Sequence, residues 1–427
     1  MTNDLVKIAK DFPEGFYEIT NKKGEKFILK KRLDGGDLAG YIDEYFANRF
    51  RYNLLELKLE FDRKPLEVGI DRLLYVQLSI RGWSIGKETA MNSLLYVAKK
   101  NSFHPIVEFL ENIEKDKSIE PVDIKKISTD YLGTNNPLYD QMMKVTLIGM
   151  IARVIDRGCK FDSCLVLKGE QGIGKSSFWR ILTGHEWFCD TWQTSEKDLL
   201  LIIQTCWVFE IAELDGMTNK KDAAQIKSLL SSSKDNFRRP YEAAPDAHPR
   251  PSIFVGTCNR ADFLIDSTGS RRFQIIDLDN NFIDLEKLKK DRLGILKAAL
   301  IAYRNGEKPY LNAEYQMESD LNNLNYQQEN PFMSAIEEWL NNPKKLGQFI
   351  NGQHYSGETV ELKDGVTTKD VVIWSRCRDE GKVSTADCRI AADCLRLLGF
   401  EQTKKRDENK TVRKWYKPKS VADVPDK

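Results

Sequence analysis

The chain has 427 residues, 41% hydrophobic and 30% charged, the balance of an ordinary globular protein with length for two or three domains. Its 65 Lys and Arg against 64 Asp and Glu leave a formal charge of +1, which excludes polyanion binding through a global field and confines any nucleic-acid surface to a local patch. No apolar run near a motif approaches bilayer length, the first seven residues lack a signal-peptide core, and the eight cysteines form no C-x-x-C pair. A cytoplasmic protein with reduced thiols and no membrane contact is expected.

Residues 1–40 mix charge with aromatics, and Asn21 to Lys26 reads as a hairpin turn between two short strands. From Tyr41 to Ile113 the periodicity predicts helices, the last opened by His104-Pro105, where the histidine reads as structural. The charged, poorly periodic segment Glu114 to Asp130 predicts a domain boundary, and a helix over 138–157 follows it.

The apolar run Leu165-Val166-Leu167 then leads into Gly169-Glu170-Gln171-Gly172-Ile173-Gly174-Lys175-Ser176-Ser177 and an amphipathic segment from Phe178. This is strand, G-x-x-x-x-G-K-S loop and helix, the order of a phosphate loop. Its glycines let backbone amides curl around a polyphosphate, the helix start adds partial positive charge, Lys175 reaches the outer phosphates and Ser176 can ligate Mg²⁺. ATP and Mg²⁺ are the expected cofactors. Alternating strand and helix patterns to about Leu278 imply a mostly parallel sheet between helices.

A phosphate loop needs an acid for the metal and a carboxylate to polarise water. Cys206 to Asp215 supplies a strand with Glu210 directly after its apolar run and Glu213 three residues on; which of them activates water stays open, with Glu210 the expected metal ligand beside Ser176. A second strand, Ile253 to Cys258, ends in Asn259, whose amide can orient the attacking water. Arg271 and Arg272 follow on a turn, where paired guanidinium groups can reach a neighbouring subunit's nucleotide. Between the acids and Asn259 lie Arg238, Arg239 and Tyr241, suited to phosphate contact and base stacking.

The polar stretch Asn322 to Pro331 marks a second boundary. Beyond it, helices over 332–340 and 385–398, a turn-rich insert around 352–365 and a charged hairpin over 400–416 suggest a winged-helix-like module. Lys404, Lys405, Arg406, Arg413 and Lys414 of that hairpin, with Trp415 and Tyr416 adjacent, are its expected DNA contacts.

Together these motifs resemble the virulence-associated protein E family, a mobile-element and phage branch related to superfamily 3 helicases. The resemblance spans residues 131–278 through Gly158 to Phe161, Gly169 to Ser177, Glu186 to Phe188, Glu210 to Leu214, Phe237 to Tyr241, Gly256 to Asn259 and Gly269 to Phe273. It implies an α/β P-loop NTPase of AAA+ type, with Lys175 in the phosphate loop, Glu210 and Glu213 in the acidic motif, Asn259 as sensor, and Arg271 and Arg272 as arginine fingers. It also implies a homo-hexameric ring passing single-stranded DNA through a pore formed by the loop with Arg238. Family members are often fused to a primase, and residues 1–130 show no clear carboxylate cluster of that kind, so a separate primase or polymerase is a further expected partner.

The expected division is a mostly helical region over 1–120, an ATPase domain over 121–310 and a winged-helix-like DNA-binding module over 331–427. The expected activity is ATP-dependent unwinding of duplex DNA by translocation on a single strand. An origin-binding initiator or loader without processive unwinding, and a nucleotide-gated regulatory or defence assembly, stay open beside it.

Overall fold

Short strands interrupt the N-terminal region where periodicity predicts a run of helices. A computed structural model describes residues 12–46, 48–66, 73–193, 195–214, 220–237, 246–261, 263–264, 270–278, 281–327, 332–346, 348–350, 353–355, 357–407 and 410–416, without the side chains of 220–223, 348–350, 353–355, 405–407 and 410–412. Strands β1 (Phe16–Thr20) and β2 (Lys26–Arg32) pair antiparallel around a turn in which Asn21 Oδ1 accepts from the amides of Lys23 and Glu25. Then come β3 (Phe50–Asn53), β4 (Lys58–Phe61), β5 (Lys64–Pro65), β6 (Trp83–Ser84) and β7 (Ser102–Phe103). These make two sheets, ordered β1-β2-β6 and β5-β4-β3-β7, among helices Gly35–Tyr45, Leu74–Ile80, Lys87–Lys100 and Pro105–Lys115. The spacing of Phe46 and Phe50 imitates a helical face, but left-handed φ angles at Asn48 (60°), Leu57 (60°) and Asp62 (51°) turn the chain back on itself.

His104 precedes the helix Pro105–Lys115 and is 8% exposed, with neither ring nitrogen hydrogen-bonded among the described residues. Burial, aided by the Arg157 charge, pushes its pKa down to about 4. Between about pH 6.5 and 4 the unfolded chain therefore takes up a proton that the folded chain refuses, and stability falls with pH across that window by about 3 kcal/mol. His104→Leu should flatten the pH dependence of the urea midpoint there; equal slopes in variant and wild type would place the acid sensitivity elsewhere.

The central sheet is built from β8 (Cys164–Lys168), β9 (Phe188–Cys189), β10 (Val208–Ile211), β13 (Ile253–Cys258) and β14 (Phe273–Asp277). Strands β11 (Lys234–Phe237) and β12 (Asp246–Pro249) form a separate antiparallel pair. The order is β14-β8-β13-β10-β9, with every neighbouring pair parallel. The strands are apolar in consecutive positions because both faces are covered. Leu165 and Leu167 point to one side, into a core shared with helices Pro137–Ile155, Lys175–Thr183 and Leu285–Arg304. Cys164 and Val166 point to the other, with helices Glu196–Ile203 and Lys220–Ser231. This three-layer α/β arrangement puts the carboxyl ends of five parallel strands along one edge.

The chain divides into two compact units, Met1–Gln327 and Gln328–Lys427. In the second, helices Met333–Asn341, Thr368–Trp374 and Thr385–Leu397 pack around Ile336, Val371, Ala391 and Leu395. The last two helices open with reciprocal caps, Thr367 with Asp370 and Ser384 with Asp387. Short strands β15 (Gln348–Ile350) and β16 (Gln353–Tyr355) form one hairpin, and β17 (Glu401–Asp407) with β18 (Lys410–Tyr416) form another. Val366 bridges antiparallel to Trp415, giving the second hairpin a third strand position just before a helix. Among the described residues no helix is long and apolar enough to cross a membrane.

Candidate functional site

The loop after β8 begins tied to both neighbouring strands. Gly169 N–H donates to Cys258 O of β13, and Leu278 N–H beyond β14 donates to Lys168 O. Gly172 and Gly174 have φ of 88° and 99°, a region that other L-residues rarely enter, so the chain can turn twice before its helix starts. Helix Lys175–Thr183 has no side-chain cap on its first turn, which leaves its leading amides directed at the loop. Glu170 and Gln171 are exposed, Ile173 is buried, and Ser177 is half-buried on the helix.

Lys175 is 8% exposed, and its ammonium donates to Gly169 O (2.6 Å), Glu170 O (2.7 Å) and Asn259 Oδ1 (3.0 Å). Ser176 Oγ donates to Glu210 Oε1 at 2.7 Å. Two long-range contacts therefore join residues from β8's loop, β10 and the end of β13, and the sheet order explains why. With β13 lying between β8 and β10, Asn259 emerges between the lysine and the acid.

Glu210 is 1% exposed. Burial raises its pKa, and hydrogen bonds from Ser176 and Thr257 hold it back. Thr257 Oγ1 reaches the same carboxylate oxygen, at 2.9 Å, while Oε2 has no hydrogen-bond partner among the described residues. A buried carboxylate with one unpartnered oxygen beside a serine hydroxyl is a hard-oxygen donor set that fits Mg²⁺, and a loop of amides headed by a lysine fits polyphosphate. Glu213 lies beyond the end of β10, exposed and at a left-handed φ of 51°. Beside Glu210 opens a cleft of about 350 Å³ lined by Asp190, Trp192 and Gln225.

Sequence reasoning missed Thr257 and a second polar group at the same sheet edge. Lys168 forms an ion pair with Asp277 at 2.7 Å, and Tyr326 donates to that carboxylate at 3.0 Å. A threonine one residue from the end of an otherwise apolar strand was the available signal for the first. The second depends on pairing of β14 with β8, which local pattern does not encode.

Arg271 and Arg272 form the 3-10 turn Ser270–Arg272, just before Phe273 pairs with Cys164 at the start of β8. They thus stand at the opposite edge of the sheet from Lys175, separated by a five-residue strand of about 17 Å. Arg272 Nε is 3.9 Å from Asp162 Oδ2, and Arg271 is exposed. Within one chain the pair is not brought to the loop.

Arg238, Arg239 and Tyr241 lie outside the described residues. The β11–β12 stem on either side of them is held by a buried ion pair between Arg250 and Asp235, with Gln204 Nε2 donating to Asp235 Oδ2 at 2.8 Å. In the second unit, Lys404 stands opposite Arg413 on the hairpin and both are exposed, while Lys414 is half-buried; the Lys405 and Arg406 side chains lie outside the described residues. Trp415, adjacent to these cations in sequence, is 1% exposed and donates from Nε1 to Thr368 Oγ1 at 2.9 Å. It is a core residue of its unit.

A family model for the virulence-associated protein E-like domain matches residues 111–330, just over half of the chain and all of the central sheet. The chain belongs to that family. No curated protein matches this virulence-associated protein E-like chain. Among solved structures it is similar to the apo C-terminal region of NrS-1 (305–718), at 13% identity and a TM-score of 0.38 over 72% of this chain and 78% of that one. An A-form apo structure of the same NrS-1 region gives 12% identity and 0.37 over the same shares.

Proposed function

We propose that this chain is an ATP-dependent DNA helicase of a phage or mobile element, an AAA+ type motor that works as a homo-hexameric ring. The observation that carries the reading is the joint placement of Lys175, Ser176, Glu210 and Asn259 at one sheet edge, with Glu210 Oε2 unpartnered among the described residues. Bound Mg-ATP would supply the phosphoanhydride bond and the divalent charge beside it. Lys175 would exchange the loop carbonyls for the outer phosphates. Ser176 and Glu210 would hold the metal. Asn259 would orient the attacking water and Glu213, beyond the strand, would accept its proton.

The Arg238 loop and the 404–414 hairpin are the proposed contacts to single-stranded and duplex DNA, and a primase or polymerase on another chain is the proposed partner. Support for a winged-helix-like module comes from the order of bridge, two capped helices and hairpin over 366–416. The deciding experiment follows strand displacement on a forked duplex with ATP. Unwinding with DNA-stimulated hydrolysis is expected; stimulated hydrolysis without displacement would favour a loader, and neither would favour a nucleotide-gated assembly.

The position of Arg271 and Arg272 makes a prediction of its own. Each single alanine variant should bind nucleotide yet hydrolyse it poorly, because the group acts on a neighbour. Mixing such a variant with Lys175→Ala protein should restore some turnover, since some interfaces then join an intact loop to an intact arginine. No recovery at any ratio, with subunits shown to exchange, would exclude action between subunits.

A further inference from the structure

The hairpin β1–β2 is exposed at all twelve strand positions, on both of its faces. Its register places Tyr17 opposite Leu29 and Ile19 opposite Phe27, so these four side chains share one face. They are 38–44% exposed, two rings lying diagonally with two aliphatic groups between them. Residues 16–32 carry six cations and two acids, an excess of four in a chain whose formal charge is +1. Both acids are engaged within the hairpin: Glu18 pairs with Lys26 at 2.7 Å, and Glu25 accepts from Asn21 Nδ2 at 2.6 Å. Lys22, Lys23, Lys31 and Arg32 make no ion pair among the described residues.

From this juxtaposition of exposed rings and unbalanced cations we infer that the β1–β2 hairpin is a binding platform for single-stranded DNA. Bases stack on Tyr17 and Phe27, and the lysines at the turn and the β2 end hold phosphates. A strand is required because a duplex hides the faces of its bases. Charge argues against a second copy of the hairpin as the occupant, since pairing the two faces would bring together two ribbons of the same sign. A ribbon of about 17 Å also offers little area for a stable protein interface. The platform lies outside the ATP site and does not rest on the assignment of helicase activity.

The test uses the full chain without nucleotide and a single strand of thymidines carrying 5-iodouracil. Photocrosslinking should modify peptides within 16–32 at Tyr17 or Phe27, equally in wild type and Lys175→Ala. Tyr17→Ala with Phe27→Ala removes two half-exposed rings from a surface hairpin, so circular dichroism should be unchanged and melting should fall only by the loss of two cross-strand pairs; the crosslinks should vanish and affinity should fall roughly tenfold or more. Lys22→Ala, Lys23→Ala and Lys31→Ala together should lower the log-log salt slope by about 2. Crosslinks only outside 16–32, or unchanged affinity in both variants, would overturn the inference. So would a change in native mass with strand affinity unaltered, which would make the face a protein contact.

Discussion

Lys175→Ala will lower ATP hydrolysis roughly 10²–10³-fold, the scale of losing one preorganised charged donor at a developing negative charge. The ammonium donates to Gly169 O, Glu170 O and Asn259 Oδ1, so the variant also loses the contacts that draw the loop together. The sheet beneath is untouched, because β8 is held by β13 and β14 and not by the loop. Circular dichroism and melting should therefore stay close to wild type while turnover collapses. A folded variant with near-normal turnover would remove the phosphate-loop assignment and the functional reading built on it.

Glu210→Gln should cost hydrolysis at least a hundredfold, and it separates the two acids. Glutamine keeps the shape and can still meet Ser176 and Thr257, but it removes the charge that would hold Mg²⁺. Metal-dependent nucleotide affinity should fall with turnover. Glu213→Gln should spare affinity and cost turnover alone. The reverse pattern would exchange the two roles. Stability supplies a second readout: burial raises the Glu210 pKa, so the folded chain takes up this proton at higher pH than the unfolded chain does. Wild type without nucleotide should gain stability from this group as pH falls through that range. The glutamine variant should melt higher at neutral pH and lack the gain, as expected where an active group is held against its own solvation.

How much of this was legible follows from where each signal resides. The loop, its strand and its helix are contiguous, so glycines, lysine and apolar run sit within one short stretch. Glu210 and Asn259 could be picked out as polar residues at strand ends, but their meeting through Ser176 and Lys175 depends on β13 lying between β8 and β10. Thr257 and the Lys168–Asp277–Tyr326 group depend on the same non-local register. In the N-terminal region, strands as short as two residues leave too few positions to show a period against helical neighbours. Trp415 and Tyr416 are adjacent in a strand and must face opposite ways, yet alternation alone does not say which side is the core.

The separation of Lys175 from Arg271 and Arg272 by the length of a parallel strand constrains how copies could complement one another. If the arginines serve a neighbouring loop, the carboxyl edge of one sheet must face the amino edge of the next. A two-fold dimer joins arginine to loop only if its axis crosses the strands, so that each amino edge lies beside the other copy's carboxyl edge and both loops are served at once. With the strands of neighbouring copies running the same way, the contact is polar and heterologous. Repeated by rotation alone it closes a cycle in which every loop is served, and with any translation it becomes a screw that leaves one loop unserved at one end. Activity per subunit would then depend on closure, so a severed cycle would lose its terminal site while every subunit in it stayed folded.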